Sequence, residues 1–262
     1  MIDFTFPLEE LEYFLLILTR VSCFVYAAPF FSMNNTPGRI RIILSVFISY
    51  IVYGTMSPHI YPEYSTLMTY AILVLQEAIL GLLIGLSTQF CMMIVNFAGH
   101  MVDVEIGFSM ATTMDPATKQ SVTVSGFLYQ YTFYLLFIVS GMYRYLITAI
   151  NETFILIPIG QVRLILYDIY NMFLKFMSNY IVIGFRICLP VFSTILVLNG
   201  ILGVMAKVSP QMNMFSVGLQ LKVLVGLGVM FLTIAMLPSA SEFIFEQMKI
   251  MVVTVIKAAG GA

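Results

Sequence analysis

The sequence predicts an all-α, polytopic membrane protein with about six long, kinked helical segments. Three observations lead to this prediction. Apolar residues make up 60% of the 262 residues and charged residues only 10%. The mean hydropathy, +0.98, lies far above that of a soluble domain. Apolar runs that approach or exceed the roughly 20 residues of a membrane-crossing helix recur along nearly the whole chain.

The first two apolar runs lie at residues 13–31 and 40–53. The first contains Arg20 and ends at a cluster of turn-forming residues, 32–38, and the second is shorter. The stretch before them, 1–12, carries four acidic residues and no basic one, which is the opposite of the positive leader of a cleavable signal peptide. We therefore expect the first run to be retained.

The third run, 67–98, is too long for a single upright span. It contains one acidic residue, Glu77, together with Gly81 and Gly85. The helix can tilt, kink near the glycines or extend beyond the bilayer into other protein, and the sequence leaves these alternatives open. Gly81 and Gly85 also match the small-xxx-small pattern, which permits close contact between helices.

Residues 100–125 interrupt the apolar pattern. Charged, glycine and proline residues are concentrated there, so the segment is predicted to be a loop or an irregular connection. These residues are Asp103, Glu105, Gly107, Asp115, Pro116 and Lys119. Methionines in or beside the segment, at positions 101, 110 and 114, are either fillers of an apolar core or flexible side chains that seal an aqueous path.

The last three runs are 127–143, 180–205 and 217–237. A region of mixed polarity separates the first two of them. Between the last two, residues 207–213 are predicted to form a tight turn. Its polar and turn-forming residues are Lys207, Pro210, Gln211 and Asn213. The C-terminal third is therefore predicted to be a helical hairpin, followed by a tail, 239–262, that is at best amphipathic.

Four charged residues lie inside apolar runs: Arg20, Glu77, Arg186 and Lys222. An isolated charge at the centre of a membrane-spanning helix costs about 2.5 to 3.5 kcal/mol on insertion scales, so each charge needs compensation. The first interpretation is structural pairing inside a helix bundle or a position near the interface. The second is an ion path, in which Glu77, Asp103 and Glu105 bind a coupling cation as in a secondary transporter.

Several other classes of protein are not expected. The formal net charge is −1, the pI is near 6.1 and no run of lysine and arginine is present, so nucleic acid is not an expected partner. The three cysteines and two histidines have neither metal-ligand nor disulfide spacing, and no cofactor is expected. Residues 107–111 superficially resemble a nucleophile elbow but lack its second glycine, so an enzyme is not expected.

Three motifs carry a resemblance to a known family. They are Arg20 with APFF at 28–31 and PGRIR at 37–41; GFSMATTMDPATKQ at 107–120; and SPQMNMF at 209–215, followed by Leu221, Lys222 and Gly226. In this order, and in a chain of this length and hydropathy, they resemble the FliR family of type III protein-export gate subunits over almost the whole chain. The Met-Asp-Pro loop favours the flagellar branch, with a virulence type III secretion system as the alternative.

The resemblance implies a subunit that joins FliP and FliQ in a helical spiral around a narrow channel. Unfolded flagellar proteins pass through this channel across the bacterial plasma membrane, at the flagellar basal body. FlhB and FlhA are further implied partners. The resemblance also implies that residues 1–165 are similar to FliP and include the central loop, and that residues 166–262 form a FliQ-like hairpin and tail.

The central loop of the family plugs the channel. Carried onto this sequence, the plug is 107–119, with Phe108, Met110 and Met114 as apolar sealing residues. Non-helical backbone at membrane depth is tolerated only where it is buried in protein or lines a water-filled cavity, and a channel plug meets that condition. The residues assigned to the plug are Gly107, Phe108, Ser109, Met110, Ala111, Thr112, Thr113, Met114, Asp115, Pro116 and Lys119.

Overall fold

The computed structural model describes residues 8–31, 36–56, 59, 61–62, 64–108, 113–114, 121–122, 124–163, 165–209, 211 and 214–260. These residues form eight α-helices and two very short strands. The helices are α1 (Leu8–Ala27), α2 (Gly38–Thr55), α3 (Leu67–Ile106), α4 (Val124–Val139), α5 (Met142–Leu156), α6 (Leu166–Val208), α7 (Met214–Thr233) and α8 (Leu237–Gly260). The strands β1 (Thr113–Met114) and β2 (Ser121–Val122) pair antiparallel. The predicted all-α class is confirmed.

Within the described ranges, four helical segments are long and apolar enough to cross a membrane. They are α2, α3, α6 and Ser216–Gly260, in which a 3₁₀ turn at Ile234–Met236 separates α7 from α8. Helices α4 and α5 meet at 65° and make a fifth span if the bent pair is counted as one. Helix α1 has 20 residues, but three glutamates and Arg20 leave it too charged to belong to this set. The predicted polytopic membrane protein is confirmed.

Helices α3, α5 and α6 cover residues where the sequence pattern predicts no apolar run, and α6 begins at Leu166, ahead of the run predicted from 180. Helix α3 continues past the predicted end at residue 98 to Ile106, so the start of the segment predicted to be irregular is helical. The prediction fails there because Asp103 is a fully buried helical residue and not a loop residue. Helix α5 fills the region of mixed polarity, where buried apolar residues at Leu146, Ile150 and Phe154 follow the helical period.

The chain forms two compact units. The first comprises Met1–Phe90, Gly141–Lys175 and Gln247–Ala262. Its core includes one face of α1, whose buried residues recur every three to four positions: Tyr13, Leu16, Ile17, Arg20, Val21, Phe24 and Val25. Helix α3 lies against α1, since methyl groups at Gly81 and Gly85 would overlap the α1 backbone at Arg20 and the chain near Ala28. The close helix contact predicted at these two glycines is confirmed.

The second unit comprises Cys91–Ser140 and Phe176–Glu246. Helix α3 approaches α4 closely at Gly99, where a methyl group would overlap the backbone of α4. The Leu202 side chain of α6 lies beside Gly218 of α7. Farther from the turn, Val197 and Val225 line the same cavity. Helices α6 and α7 are therefore antiparallel neighbours.

The two compact units do not coincide with a division of the chain at residue 165. Each unit draws on residues from both sides of that position. The units describe packing within this chain, whereas the predicted division into 1–165 and 166–262 rests on similarity to two other proteins. That division stays a prediction.

Candidate functional site

A buried ion pair lies in the first unit. Arg20 is on the buried face of α1 and Glu77 is on α3, and both side chains are fully buried. The Nε of Arg20 donates a hydrogen bond to Oε2 of Glu77 at 2.5 Å. The structure therefore brings together two of the four charged residues that the sequence places inside apolar runs.

The other nitrogens of Arg20 donate to the C-terminal end of α5. Nη1 donates to the carbonyl oxygen of Thr153 at 3.1 Å and to its hydroxyl at 3.3 Å. Both Nη1 and Nη2 donate to the carbonyl oxygen of Ile157 at 3.1 Å. The last carbonyls of a helix carry its negative partial charge, so the guanidinium complements the helix dipole. The Ile157 carbonyl gains its donors in this way, whereas the Thr153 carbonyl also accepts the N–H of Ile157 at 2.8 Å.

Two further contacts complete the surroundings of the pair. The second carboxylate oxygen of Glu77, Oε1, accepts a hydrogen bond from the backbone N–H of Gly160 at 3.2 Å. Gly160 has a φ of +82°, a backbone conformation that glycine adopts without strain. The Cζ atom of Arg20 lies 4.2 Å from the centre of the Phe154 ring, in cation–π geometry. The network thus joins α1, α3, α5 and the loop after α5.

The geometry of this network favours structural pairing over an ion path. A buried ion pair offsets its desolvation cost only when its geometry is good and its remaining polar atoms are hydrogen-bonded, and both conditions hold here. A coupling cation needs carboxylate oxygens that are available to it, but both oxygens of Glu77 already accept hydrogen bonds. Both oxygens of Asp103, a second acid of the ion-path interpretation, also accept hydrogen bonds.

A second buried carboxylate caps the start of α4. Asp103 on α3 is fully buried, and its Oδ2 accepts hydrogen bonds from the backbone N–H groups of Ser125 at 2.8 Å and Gly126 at 3.4 Å. Its Oδ1 accepts a hydrogen bond from the Ser125 hydroxyl at 2.5 Å. The first N–H groups of a helix lack intrahelical acceptors and carry its positive partial charge, so the carboxylate stabilises this helix end. Sequence reasoning missed this role, for which an acid and a serine on either side of a loop were the only signal.

The bonds of Asp103 join the two ends of the segment 107–123. On the N-terminal side, the N–H of Gly107 donates to the carbonyl oxygen of Asp103 at 3.0 Å, and the glycine ends α3 with a φ of +95°. Within the segment, Thr113 pairs with Val122 in the β1–β2 ladder. The chain therefore leaves α3 and returns to α4 at one place.

The structure describes part of the predicted plug. Gly107 ends α3, Phe108 follows it and is half-buried, and the backbone of Thr113 and Met114 forms β1. The remaining residues assigned to the plug lie outside the described residues: Ser109, Met110, Ala111, Thr112, Asp115, Pro116 and Lys119. The plug assignment stays a prediction.

The predicted turn between α6 and α7 is also described in part. Lys207 lies in the last turn of α6 and is exposed, and Gln211 is an exposed turn residue. Pro210 and Asn213 lie outside the described residues. Helix α6 ends at Val208 and α7 begins at Met214, and the tight turn assigned to these residues stays a prediction.

Arg186 and Lys222, the other two charged residues of the apolar runs, form no ion pair with the residues that the structure describes. Arg186 is exposed on α6 and lines a cavity. Lys222 is half-buried on α7. Their predicted pairing stays a prediction, and a partner for either one has to come from outside this part of the chain.

Comparison with known proteins gives matches along most of the chain. The family model described as bacterial export proteins, family 1, matches residues 11–248. The flagellar biosynthetic protein FliR of Bacillus subtilis (strain 168) is 32% identical over 216 residues, which cover 81% of this chain and 82% of that protein. The proteins of the same name from Escherichia coli (strain K12) and Aquifex aeolicus (strain VF5) are 27% and 29% identical, over 88% and 87% of this chain and 87% and 88% of their own lengths.

The family match extends from α1 into α8 and includes both the Arg20–Glu77 pair and the loop after α3. The relatives cover more than four fifths of this chain, and each covers a similar share of its own length. All three relatives are flagellar biosynthetic proteins of the same name. The chain therefore belongs to the bacterial export proteins of family 1, together with the flagellar biosynthetic proteins FliR.

Proposed function

We propose that this protein is a subunit of the flagellar type III protein-export gate in the bacterial plasma membrane, at the flagellar basal body. With FliP and FliQ homologues it forms the channel through which unfolded flagellar proteins leave the cytoplasm, and FlhB and FlhA homologues are further partners. Residues 107–119 plug the closed channel. The flagellar relatives support the export function. The plug mechanism rests on one observation, that Asp103 and the β1–β2 pair hold the two ends of the loop between α3 and α4 together.

The loop 107–123 is suited to be a plug because its ends are anchored to each other. Asp103 holds the start of α4 through Ser125, so the contact between the two helices does not depend on the middle of the loop. The loop also lies between a membrane-spanning helix and a bent pair that can form a further span. Irregular backbone near membrane depth needs protein or water around it, and a channel supplies both.

Apolar side chains of the loop seal the channel. Phe108, Met110 and Met114 provide a flexible, apolar constriction, and such constrictions block ions and water by excluding water from the narrow part. Methionine has three rotatable bonds and no charge, so these side chains can move aside for an unfolded polypeptide and close again behind it. The seal therefore requires no specific recognition of the passing sequence.

Apolar surface on the membrane-spanning helices supports the proposed partners. Phe47 on α2, Val197 on α6 and Phe231 on α7 are each more than half exposed in this chain. Large exposed apolar surfaces are found where a protein contacts lipid or another protein. FliP and FliQ homologues cover part of this surface, and the lipid of the membrane covers the rest.

The proposal is tested by purifying the tagged full-length chain, expressed from its own operon, in a mild detergent and identifying the proteins of the stable complex by mass spectrometry. We expect FliP and FliQ homologues in fixed stoichiometry. A tagged multi-pass membrane protein of unrelated function, extracted in parallel, is the control and should recover neither. Recovery of a lone monomer or homodimer that takes up a solute in proteoliposomes would contradict the export gate and support a secondary transporter.

A further inference from the structure

A cavity of about 400 Å³ lies in the second unit, at the break between α7 and α8. Residues of α6, of the 3₁₀ turn at Ile234–Met236 and of the start of α8 line it, together with Tyr129 of α4. Apolar side chains cover most of its surface, among them Ile183, Ile187, Pro190 and Phe243. The volume falls within the range of about 300 to 1,000 Å³ that is typical of small-molecule sites.

The cavity also contains a small group of polar side chains. Arg186 lines it, as do the hydroxyl-bearing residues Tyr129, Thr233 and Ser239. In the described part of the chain, no carboxylate lines this cavity and no side chain forms an ion pair with Arg186. The site therefore combines an unneutralised guanidinium with an apolar wall.

The position of Arg186 favours a bound anion. Both segments that form the cavity, α6 and Ser216–Gly260, are long and apolar enough to cross a membrane. A charge in such a segment is unfavourable unless a counter-charge or water compensates it. A guanidinium is a planar fork of donors that fits a phosphate in bidentate geometry, and its hydrogen bonds to an anion are stronger than those between neutral groups.

We propose that this cavity binds an acidic phospholipid. The lipid phosphate lies against Arg186 beside the hydroxyls of Thr233 and Ser239, and an acyl chain lies along the wall that includes Ile187 and Phe243. One lipid molecule matches both parts of the cavity, whereas a free phosphate matches only the polar part. The inference depends on the membrane-spanning helices alone and stands or falls separately from the export-gate function.

The test uses the full-length chain, purified in mild detergent with whatever subunits remain attached. Binding of three probes is measured by native mass spectrometry: dioctanoyl phosphatidylglycerol, dioctanoylglycerol and inorganic phosphate. We expect one phosphatidylglycerol to be retained per chain, and neither of the other probes to be retained at the same concentration. Arg186→Gln should weaken phosphatidylglycerol binding by about tenfold or more, because a charge-assisted hydrogen-bonded contact is lost.

A matched control and a second variant separate charge from shape. Lys222→Gln removes a positive charge from α7, outside the residues that line the cavity, and should leave phosphatidylglycerol binding unchanged. Ala235→Phe keeps Arg186 but places a ring at the exposed rim of the cavity, and should weaken binding of the lipid. This variant keeps the proposal testable if Arg186→Gln does not accumulate.

Three results would overturn the proposal. The first is equal phosphatidylglycerol binding by the original chain and Arg186→Gln. The second is retention of inorganic phosphate as strong as that of the lipid, which would show an anion site without a lipid. The third is loss of a protein subunit from the complex in Arg186→Gln when the original chain retains no lipid, which would assign the arginine to a carboxylate of a partner.

Discussion

Arg20 and Arg186 are both arginines in long apolar runs, yet their surroundings are opposite. Arg20, in the first unit, is fully buried and donates to Glu77 and to the last carbonyls of α5. Arg186, in the second unit, is exposed and has no ion-pair partner in the described ranges. A charge that is satisfied inside the chain holds its own helices together, whereas a charge without an internal partner indicates where another molecule completes the structure.

Removal of the counter-charge of Arg20 would break this comparison most strongly. Glu77→Gln leaves the guanidinium buried without a carboxylate, and loss of one partner of a buried ion pair costs about 3 to 5 kcal/mol. We expect the variant to melt at a much lower temperature in detergent, or to fail to accumulate in the membrane. Thermal melting of the purified full-length chain and immunoblotting of membranes measure these two outcomes.

Two controls separate the ion pair from a general effect of substitution. The double variant Arg20→Met with Glu77→Leu removes both charges and should be less destabilised than the sum of the single changes. Glu105→Gln alters a half-buried acid outside the network and should change stability by no more than about 0.5 kcal/mol. If the Glu77→Gln chain melts at the same temperature as the original chain, the ion pair does not stabilise the fold.

A methyl group at Gly81 sharpens the same comparison without changing any charge. Gly81→Ala would place that methyl against the backbone carbonyl of Arg20 and push α3 away from α1. Overpacking of this kind costs about 1 to 3 kcal/mol. The matched control is Gly54→Ala, because an added methyl on α2 meets open space. Gly54 lies one residue before the end of α2, so the gain in helix propensity is less than the about 0.5 to 1 kcal/mol of a helix interior, and the variant should melt at or slightly above the temperature of the original chain.

Substitution of Asp103 tests whether the start of α4, in the second unit, depends on a buried charge in the way that the packing of α1 depends on Arg20. Asp103→Asn keeps one side-chain oxygen but loses the negative charge at the start of α4, for an expected cost of about 1 kcal/mol. Hydrogen exchange should become faster at the N–H groups of Ser125 and Gly126. Asp168→Asn, in the exposed first turn of α6, is the control and should leave exchange at these two groups unchanged.

The smallest effect on stability is expected for the loop itself. Replacement of residues 107–119 by a Gly–Ser linker of equal length keeps Asp103 and the start of α4, so the complex should still assemble. The closed gate should leak ions or small solutes, because the linker has no apolar side chains to seal it. Membrane conductance of cells that carry the variant measures the leak.

A Gly–Ser insertion at the exposed turn residue Gln211 serves as the control for the loop replacement and should leave the gate closed. Normal incorporation of the loop variant with unchanged conductance would contradict the plug assignment. The same result would leave the family membership and the gate function untouched, since neither depends on which residues close the channel.

Features that depend on a few neighbouring residues could be predicted from the sequence. The helical class and the membrane-spanning segments follow from apolar runs, and the close contact at Gly81 and Gly85 follows from small residues one turn apart. The partners of Arg20 could not be predicted in this way. Glu77 lies 57 residues away along the chain and Thr153 lies 133 residues away, and only the folded unit brings them together.

Helix ends were hardest to predict where a buried polar residue forms hydrogen bonds with another helix. Asp103 resembles a loop residue by composition, but its carboxylate bonds to a helix start 22 residues later, so α3 continues through it. Helix α5 was hidden for a similar reason, because Asn151 and Glu152 dilute its apolar pattern while Ile150 and Phe154 remain buried. Long-range contacts, and not local polarity, decide both cases.

The separation of Arg20 from Glu77 along the chain also sets the order in which the contacts of the network can form. During synthesis α1 and α2 emerge before α3, and a charge in an apolar membrane environment is unfavourable until it is paired. The buried contacts of Arg20 can therefore begin to form only after α3 has supplied the carboxylate, and they are complete only after α5 has supplied the remaining acceptors. Helix α1 is therefore held in its final place by residues that are synthesised after it.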